Sequence, residues 1–278
     1  MLSVLMTKHP RYNYTPEELF LHVYVLVDDW LEANKERFRL PQQASQIASY
    51  GELFSIALVG EIMAQGFESV WYWIVKHSYK DLYPKLPDAS RYHRVITNAE
   101  LLWAELALHI SKSLPTTAVK AIDAKPLGVA KGKRTERCKC LAAAKGFSTM
   151  GMVHGFKLHA LVNMYGLFER WTYLPADKHE THAASALVDE ETAIIAGDKA
   201  YLGVKGIITP KRRNMKRDTL WTPTLNRLRK RIETAFSSLV RSFNLHTAQA
   251  KTFRSLRAKV NIKIAAYNLT TSGLLTRL

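Results

Sequence analysis

The sequence predicts a mixed α/β sheet flanked by helices, preceded by an all-helical N-terminal segment. Three observations carry this: apolar residues recur at helical spacing up to about residue 115, short apolar runs replace them afterwards, and the charge changes sign near the same place. Of the 278 residues 47% are hydrophobic, enough for a real core, and the length suits roughly two domains. We therefore expect a helical domain over 1–115 and an α/β domain over 116–278.

Thr15 before Pro16, Glu17 and Glu18 is an N-cap with proline and acids in the first turn, and Leu19, Val23, Val27, Trp30 and Leu31 then recur at helical spacing. That gives a helix to about Arg37. A second run spans Tyr50 to Ala64 and ends at Gly66, and a third, rich in Trp and Tyr, spans Glu68 to Tyr79. Its adjacent Trp71, Tyr72 and Trp73 are expected to divide between core and surface. After the break at Pro84 to Pro87, Asp88 caps a short helix carrying Arg91, His93 and Arg94, and Asn98 caps a longer one through LLWAELALHI. That pair is a candidate recognition surface; the alternative is a bundle that packs on the core or on a second subunit.

Beyond Pro115, Val119 to Ile122 is a short strand. Gly155 to Val162 alternates and leads through Asn163 to Gly166 into LFERWTYL, an antiparallel hairpin ended by Pro175. His182 to Glu190 is a helix, Ala193 to Ala196 and Gly206 to Thr209 are strands, and Thr222 to Arg241 is a long helix. This alternation implies a mixed sheet with helices packed on it.

Composition narrows the function. The chain carries 40 Lys+Arg against 24 Asp+Glu, a formal charge of +16. Residues 1–119 balance at −2, so residues 120–278 hold +18. A folded segment with that excess repels itself, and a polyanion whose phosphates shed counterions on binding is the simplest offset. Nucleic acid is the leading partner, ahead of a merely solvated basic face or an acidic membrane. Only two cysteines occur, Cys138 and Cys140, too close to staple a fold, and C-x-C with His154 and His159 is a poor match to zinc spacing. Free thiols, no secretory leader and no stretch as long as a membrane span predict a soluble, intracellular protein.

In the basic half the acids are few, so their positions inform. Asp123 follows the first strand (VKAIDAKP), Asp198 lies two residues past the second (AIIAGDKAYLG), and Glu233 sits beside Ile232 on the apolar stripe of the long helix. Strand ends of an open α/β sheet are where sites form. Each acid alone is more simply a turn residue or a helix partner of Arg229; together, in this element order, they predict a site. Carboxylates meeting in one place repel and raise each other's pKa unless a cation lies among them, and hard oxygen ligands suit Mg2+ or Mn2+. Two such ions ~3.5–4 Å apart suit phosphodiester hydrolysis or strand transfer.

The runs AIDAKPL, HGFKLHALVNMYGLFERWTYLPADKHET, IAGDKAYLG, TPKRRNMK and RLRKRIETAFSSL stand in an order and spacing that resembles bacterial insertion-sequence transposases of the DDE type, over roughly residues 115–270. The helical part resembles the N-terminal region of one subgroup of them. The resemblance implies a ribonuclease H-like core, Asp123, Asp198 and Glu233 as a triad holding two Mg2+ or Mn2+ ions, and cutting and joining of the element's own DNA ends. It further implies terminal inverted repeats and target DNA as partners, a homodimer or larger assembly on DNA, no membrane, and a place in the bacterial cytoplasm with the nucleoid. Arg229 matches the Arg of the family's helix signature, whereas Asn226 and Val240 stand where many members carry Tyr and Lys. The rival readings are a nuclease of the same core that cuts without joining, and an inactive DNA-binding remnant.

The basic residues sort by place. Lys199 and Lys205 flank the second aspartate; Lys211, Arg212, Arg213, Lys216 and Arg217 precede the long helix; Arg229 lies within it. These are the candidate contacts to the DNA backbone, which position without reading sequence. A second run, Lys131, Lys133, Arg134, Arg137, Lys139 and Lys145, is expected to be a mobile loop that orders on DNA.

Overall fold

The computed structural model describes residues 14–38, 47–64, 66–148, 151–188, 194–215, 220–247 and 250–276. The chain divides into two compact units, 1–110 with 257–278, and 111–256.

In the first unit the helices are α1 (Pro16–Ala33), α2 (Lys35–Phe38), α3 (Tyr50–Ile62), α4 (Glu68–Ser78), α5 (Ala89–Asn98) and most of α6 (Glu100–Ser111), joined by the greater part of α9 (Phe253–Thr271). Both α1 and α3 begin with a capping box, Thr15 with Glu18 and Ser49 with Glu52, which satisfies amides that the first turn leaves without carbonyl partners. Asp88 caps α5 through the Arg91 amide, α5 runs to Asn98, and α6 begins at Glu100. Trp71 and Tyr72 are buried and Trp73 is exposed. Indole nitrogens buried in this core donate to carbonyls, Trp71 to Ile56 at 2.8 Å and Trp103 to Ile96 at 3.0 Å. From α9, Lys263 donates to both carboxylate oxygens of Glu61, at 2.9 and 2.7 Å, and the Asn261 and Asn268 amides donate to the Glu100 and Ala107 carbonyls.

The second unit is built on a six-stranded sheet: β1 (Val119–Ala130), β2 (Ala144–Ser148), β3 (Gly151–Asn163), β4 (Phe168–Pro175), β5 (Ile194–Ala196) and β6 (Ile207–Ile208). The order is β2-β3-β1-β5-β6, with β4 also paired to β3. The sheet is mixed: β1, β5 and β6 run parallel, while β1, β2 and β4 pair antiparallel to β3. Helix α7 (Thr181–Leu187) packs Ala183 and Leu187 onto Ile122 and Leu161, and α8 (Pro223–Arg241) packs on β1, β3 and β5. A mixed α/β sheet with flanking helices is what the sequence predicts.

Two element ends differ from expectation. The first strand does not end at Ile122 but continues through Asp123 to Ala130, since β3 offers it a pairing partner all the way to His154. Pro126 is tolerated there because β5 pairs only as far as Ala121, so the other edge of β1 is then unpaired. The basic run after it is a loop that contains a 3-10 turn at Gly132–Thr135 and enters β2 before Lys145. The helix read to Glu190 is seen to Leu187, and Asp189 and Glu190 lie outside the described residues. Among the described residues no helix is long and apolar enough to cross a membrane.

Candidate active site

Strand β5 accompanies β1 through three rungs, Val119 with Ile194, Lys120 with Ile195 and Ala121 with Ala196. Two residues past the last rung stand Asp123 on one strand and Asp198 beyond the other. Parallel neighbours advance in step, so equal offsets bring both carboxylates to one level, in the crevice where the strands part. Side chains alternate along β1, so Asp123 faces away from Ile122 and α7.

Helix α8 reaches this crevice. Thr222 caps it by accepting from the Leu225 amide, Pro223 starts it, and Leu225, Leu228, Ile232, Ala235, Phe236 and Leu239 form its buried stripe. Glu233, next to Ile232, sits at the edge of that stripe, its side chain 45% exposed and ion-paired with Arg229 one turn earlier.

Asp123, Asp198 and Glu233 line one cleft of about 340 Å³, together with Lys125, Phe147, Lys157, Glu180 and Tyr201. The backbone aims the aspartates: Asp123 Oδ1 accepts from the Ala124 amide at 2.7 Å, and Asp198 Oδ1 accepts from the Ala200 amide at 2.8 Å. Burial pushes the Asp123 carboxyl up to about 6; the Ala124 amide and Arg229 pull it down, while the charges of Asp198 and Glu233 push it further up. Asp123 therefore feels both of the other acids.

These donors are hard carboxylate oxygens, which suits Mg2+ or Mn2+ in kind. Asp123 and Asp198 also fit in placement, each with one oxygen held by an amide and a mutual repulsion that a cation would relieve. Glu233 is engaged with Arg229, and among the described residues no three His, Cys, Asp or Glu side chains stand close enough to hold a metal as they lie. Glu233 would complete such a site by exchanging the guanidinium for the ion.

Beneath the crevice Tyr201 is fully buried, and its hydroxyl is hydrogen-bonded at 2.9 Å to Nδ1 of His159, also fully buried on β3. Burial lowers His159 to about 4 and raises the Tyr201 phenol, so both are neutral and the pair fastens the turn after Asp198 to the sheet. Tyr201, Lys157 and Glu180 were not singled out from sequence. Tyr201 had a signal, its place three residues after Asp198. Lys157 and Glu180 had none, because their 3.2 Å ion pair joins β3 to the entry of α7 across a long stretch of chain.

Of the candidate DNA-binding residues, Lys199, Lys205, Lys211, Arg212 and Arg213 are exposed, and Arg212 donates to the Lys199 carbonyl at 2.8 Å, holding the basic run against the turn of Asp198. Arg229 is half-buried on Glu233, and Lys216 and Arg217 lie outside the described residues. Cys138 and Cys140 are free thiols.

A family model described as the transposase DDE domain matches residues 113–252. No curated protein and no solved structure matches the chain.

Proposed function

The chain belongs to the transposases with a DDE domain, and from that premise we propose that it cuts and joins the ends of an insertion sequence with Asp123, Asp198 and Glu233 as its catalytic carboxylates on a ribonuclease H-like core. The observation that carries this reading is the placement of two aspartates at equal offsets past the last parallel rung, in one cleft with a glutamate from the packed helix. Asp123, Asp198 and Glu233 would hold two Mg2+ or Mn2+ ions, which would supply Lewis-acid activation of water or a 3′ hydroxyl and stabilise the leaving oxygen.

The chain's own residues do the rest. Asp123 and Asp198 are fixed by their amides, so little side-chain reorganisation remains at the moment of reaction. Arg229 keeps Glu233 neutralised until DNA arrives; Lys199, Lys205, Lys211, Arg212 and Arg213 take the DNA backbone beside the cleft, and Lys216 takes it as the next cation of the same basic run. Hydrolysis breaks the bond from phosphorus to a 3′ oxygen as the water oxygen bonds to phosphorus; the freed 3′ hydroxyl then attacks a target phosphodiester and displaces its 3′ oxygen. The joining of paired ends calls for a dimer or larger assembly. Arg91, His93 and Arg94 on α5 serve end recognition, and the work is done in the bacterial cytoplasm, where the DNA lies.

The deciding experiment is cleavage of DNA carrying the element's ends, with and without Mg2+ or Mn2+, by the wild type and by Asp198→Asn. We expect metal-dependent cleavage that the variant loses while it still binds DNA; unchanged cleavage would remove Asp198 from the site. Pre-cut ends offered with target DNA separate a transposase from a nuclease, since a nuclease yields no joined product.

A further inference from the structure

Phe147 and Met152 stand opposite each other in the β2–β3 pairing and are 80% and 67% exposed. Side chains of this kind are ordinarily buried, and Phe147 also lines the cleft of Asp123 and Asp198. The last rung of β1 on β3 is Ala130 with His154, so Met152 and its partner Phe147 lie past the end of β1 and the hairpin projects from the sheet.

The base of the hairpin is fastened. A Cβ on Gly146 would come within 2.0 Å of the Ala176 carbonyl oxygen, and one on Gly155 within 2.0 Å of the Leu127 carbonyl oxygen. Backbone lies directly on backbone at both points, so the apolar pair is presented from a rigid support. Charge surrounds it. From residue 130 to 148 the chain carries six Lys or Arg and one acid, and Lys131, Lys133, Arg134, Arg137 and Lys139 are exposed. Alternation puts Lys145 on the same face of β2 as Phe147.

We propose that this hairpin is a DNA-opening wedge: Phe147, backed by Met152, inserts among the bases beside the phosphate held in the cleft, while the 131–139 cations hold the flanking backbone. The proposal rests on the reading of the cleft as a DNA site. An exposed ring flanked by cations is the arrangement that unstacks a duplex, since the ring replaces lost base stacking and the cations anchor phosphates. A second copy of the chain is a poor occupant, because the same excess of positive charge would face itself.

The test uses the full chain carrying Asp198→Asn, so that binding is read without cleavage, and two probes: a fully paired duplex of ~30 base pairs and the same duplex with ~3 mismatched pairs at its centre. Because the opened probe spares the cost of unstacking, we expect it to bind about tenfold tighter by fluorescence anisotropy. Adding Phe147→Ala should bring that ratio to about one, and Phe147→Trp should restore it, with unchanged circular dichroism in both. A ratio near one in the parent, or a preference that survives Phe147→Ala, overturns the wedge while leaving the cleft reading intact. So does a change of sedimentation in Phe147→Ala with the preference kept, which would assign the pair to contacts between copies. Failure to bind either duplex overturns the DNA reading itself.

Discussion

Glu61 in the helical unit and Asp123 in the sheet unit are both half-buried carboxylates whose pKa is raised by loss of water, yet the protein treats them oppositely. Glu61 meets the Lys263 ammonium, which donates to both of its oxygens, and that charge pulls its pKa back down. Asp123 meets one backbone amide, and its nearest charged neighbours include two further acids. The first acid is neutralised by its own fold; the second is left short of positive charge. A carboxylate completed by the chain leaves a ligand nothing to supply, whereas one left short of partners leaves a ligand its place.

The contrast can be broken most severely at the sheet. Asp198→Asn should reduce metal-dependent DNA cleavage by about 10⁴-fold, equivalent to about 5.5 kcal/mol of barrier, with the protein still folded; gel assays of cleavage with parallel melting curves measure both.

Next in size is the helical pair. Lys263→Ala leaves the half-buried Glu61 without its cation and should cost about 2–3 kcal/mol of unfolding free energy, while the double variant Lys263→Met with Glu61→Leu should recover most of it. Urea titrations monitored by tryptophan fluorescence decide this, and a double variant no more stable than Lys263→Ala would contradict the pairing.

Asp123→Asn should act in the opposite sense on stability. With its folded pKa near 6 and an ordinary value of 3.8, Asp123 binds its proton more tightly in the folded state. Its contribution is therefore favourable below about pH 4 and is lost as pH rises through 6, so the metal-free protein weakens across that window by about 1–2 kcal/mol, allowing for partial solvent access to the cleft. Asn in its place should remove this slope and melt higher at pH 7, and Mg2+ should raise the melting temperature of the wild type only. Parallel pH profiles for the two proteins would refute the assignment.

The smallest effect belongs to Arg229→Gln. Its pair with Glu233 is partly exposed and spans one helical turn, worth about 0.3–0.5 kcal/mol. Stability should scarcely change, whereas Mn2+ binding measured calorimetrically should tighten as Glu233 is freed; weaker binding would show that Arg229 orients the acid instead.

Local signals explain what was legible in the sequence. Thr15-Pro16 and Thr222-Pro223 marked helix starts, the alternation of GFKLHALV marked β3, and the apolar runs ending near Asp123 and Asp198 marked the strands whose crevice holds them. What was missed depends on partners distant along the chain. The extension of β1 to Ala130 follows from its pairing with β3, because KPLGVA has no strand pattern of its own. Nothing near Lys157 announces Glu180, and α9, with its alternating Lys, Asn and apolar residues, went unrecognised because Lys263 and Asn268 find partners on the distant α3 and α6.

The shared two-residue offset from the Ala121–Ala196 rung has a consequence for how such a chain can vary. One residue inserted or deleted between the rung and either aspartate would turn that acid to the wrong side or level. The much longer chain between the two strands carries no such numbering and can accept or lose whole loops, so evolutionary tinkering has wide latitude there and almost none in the four positions that count from the rung.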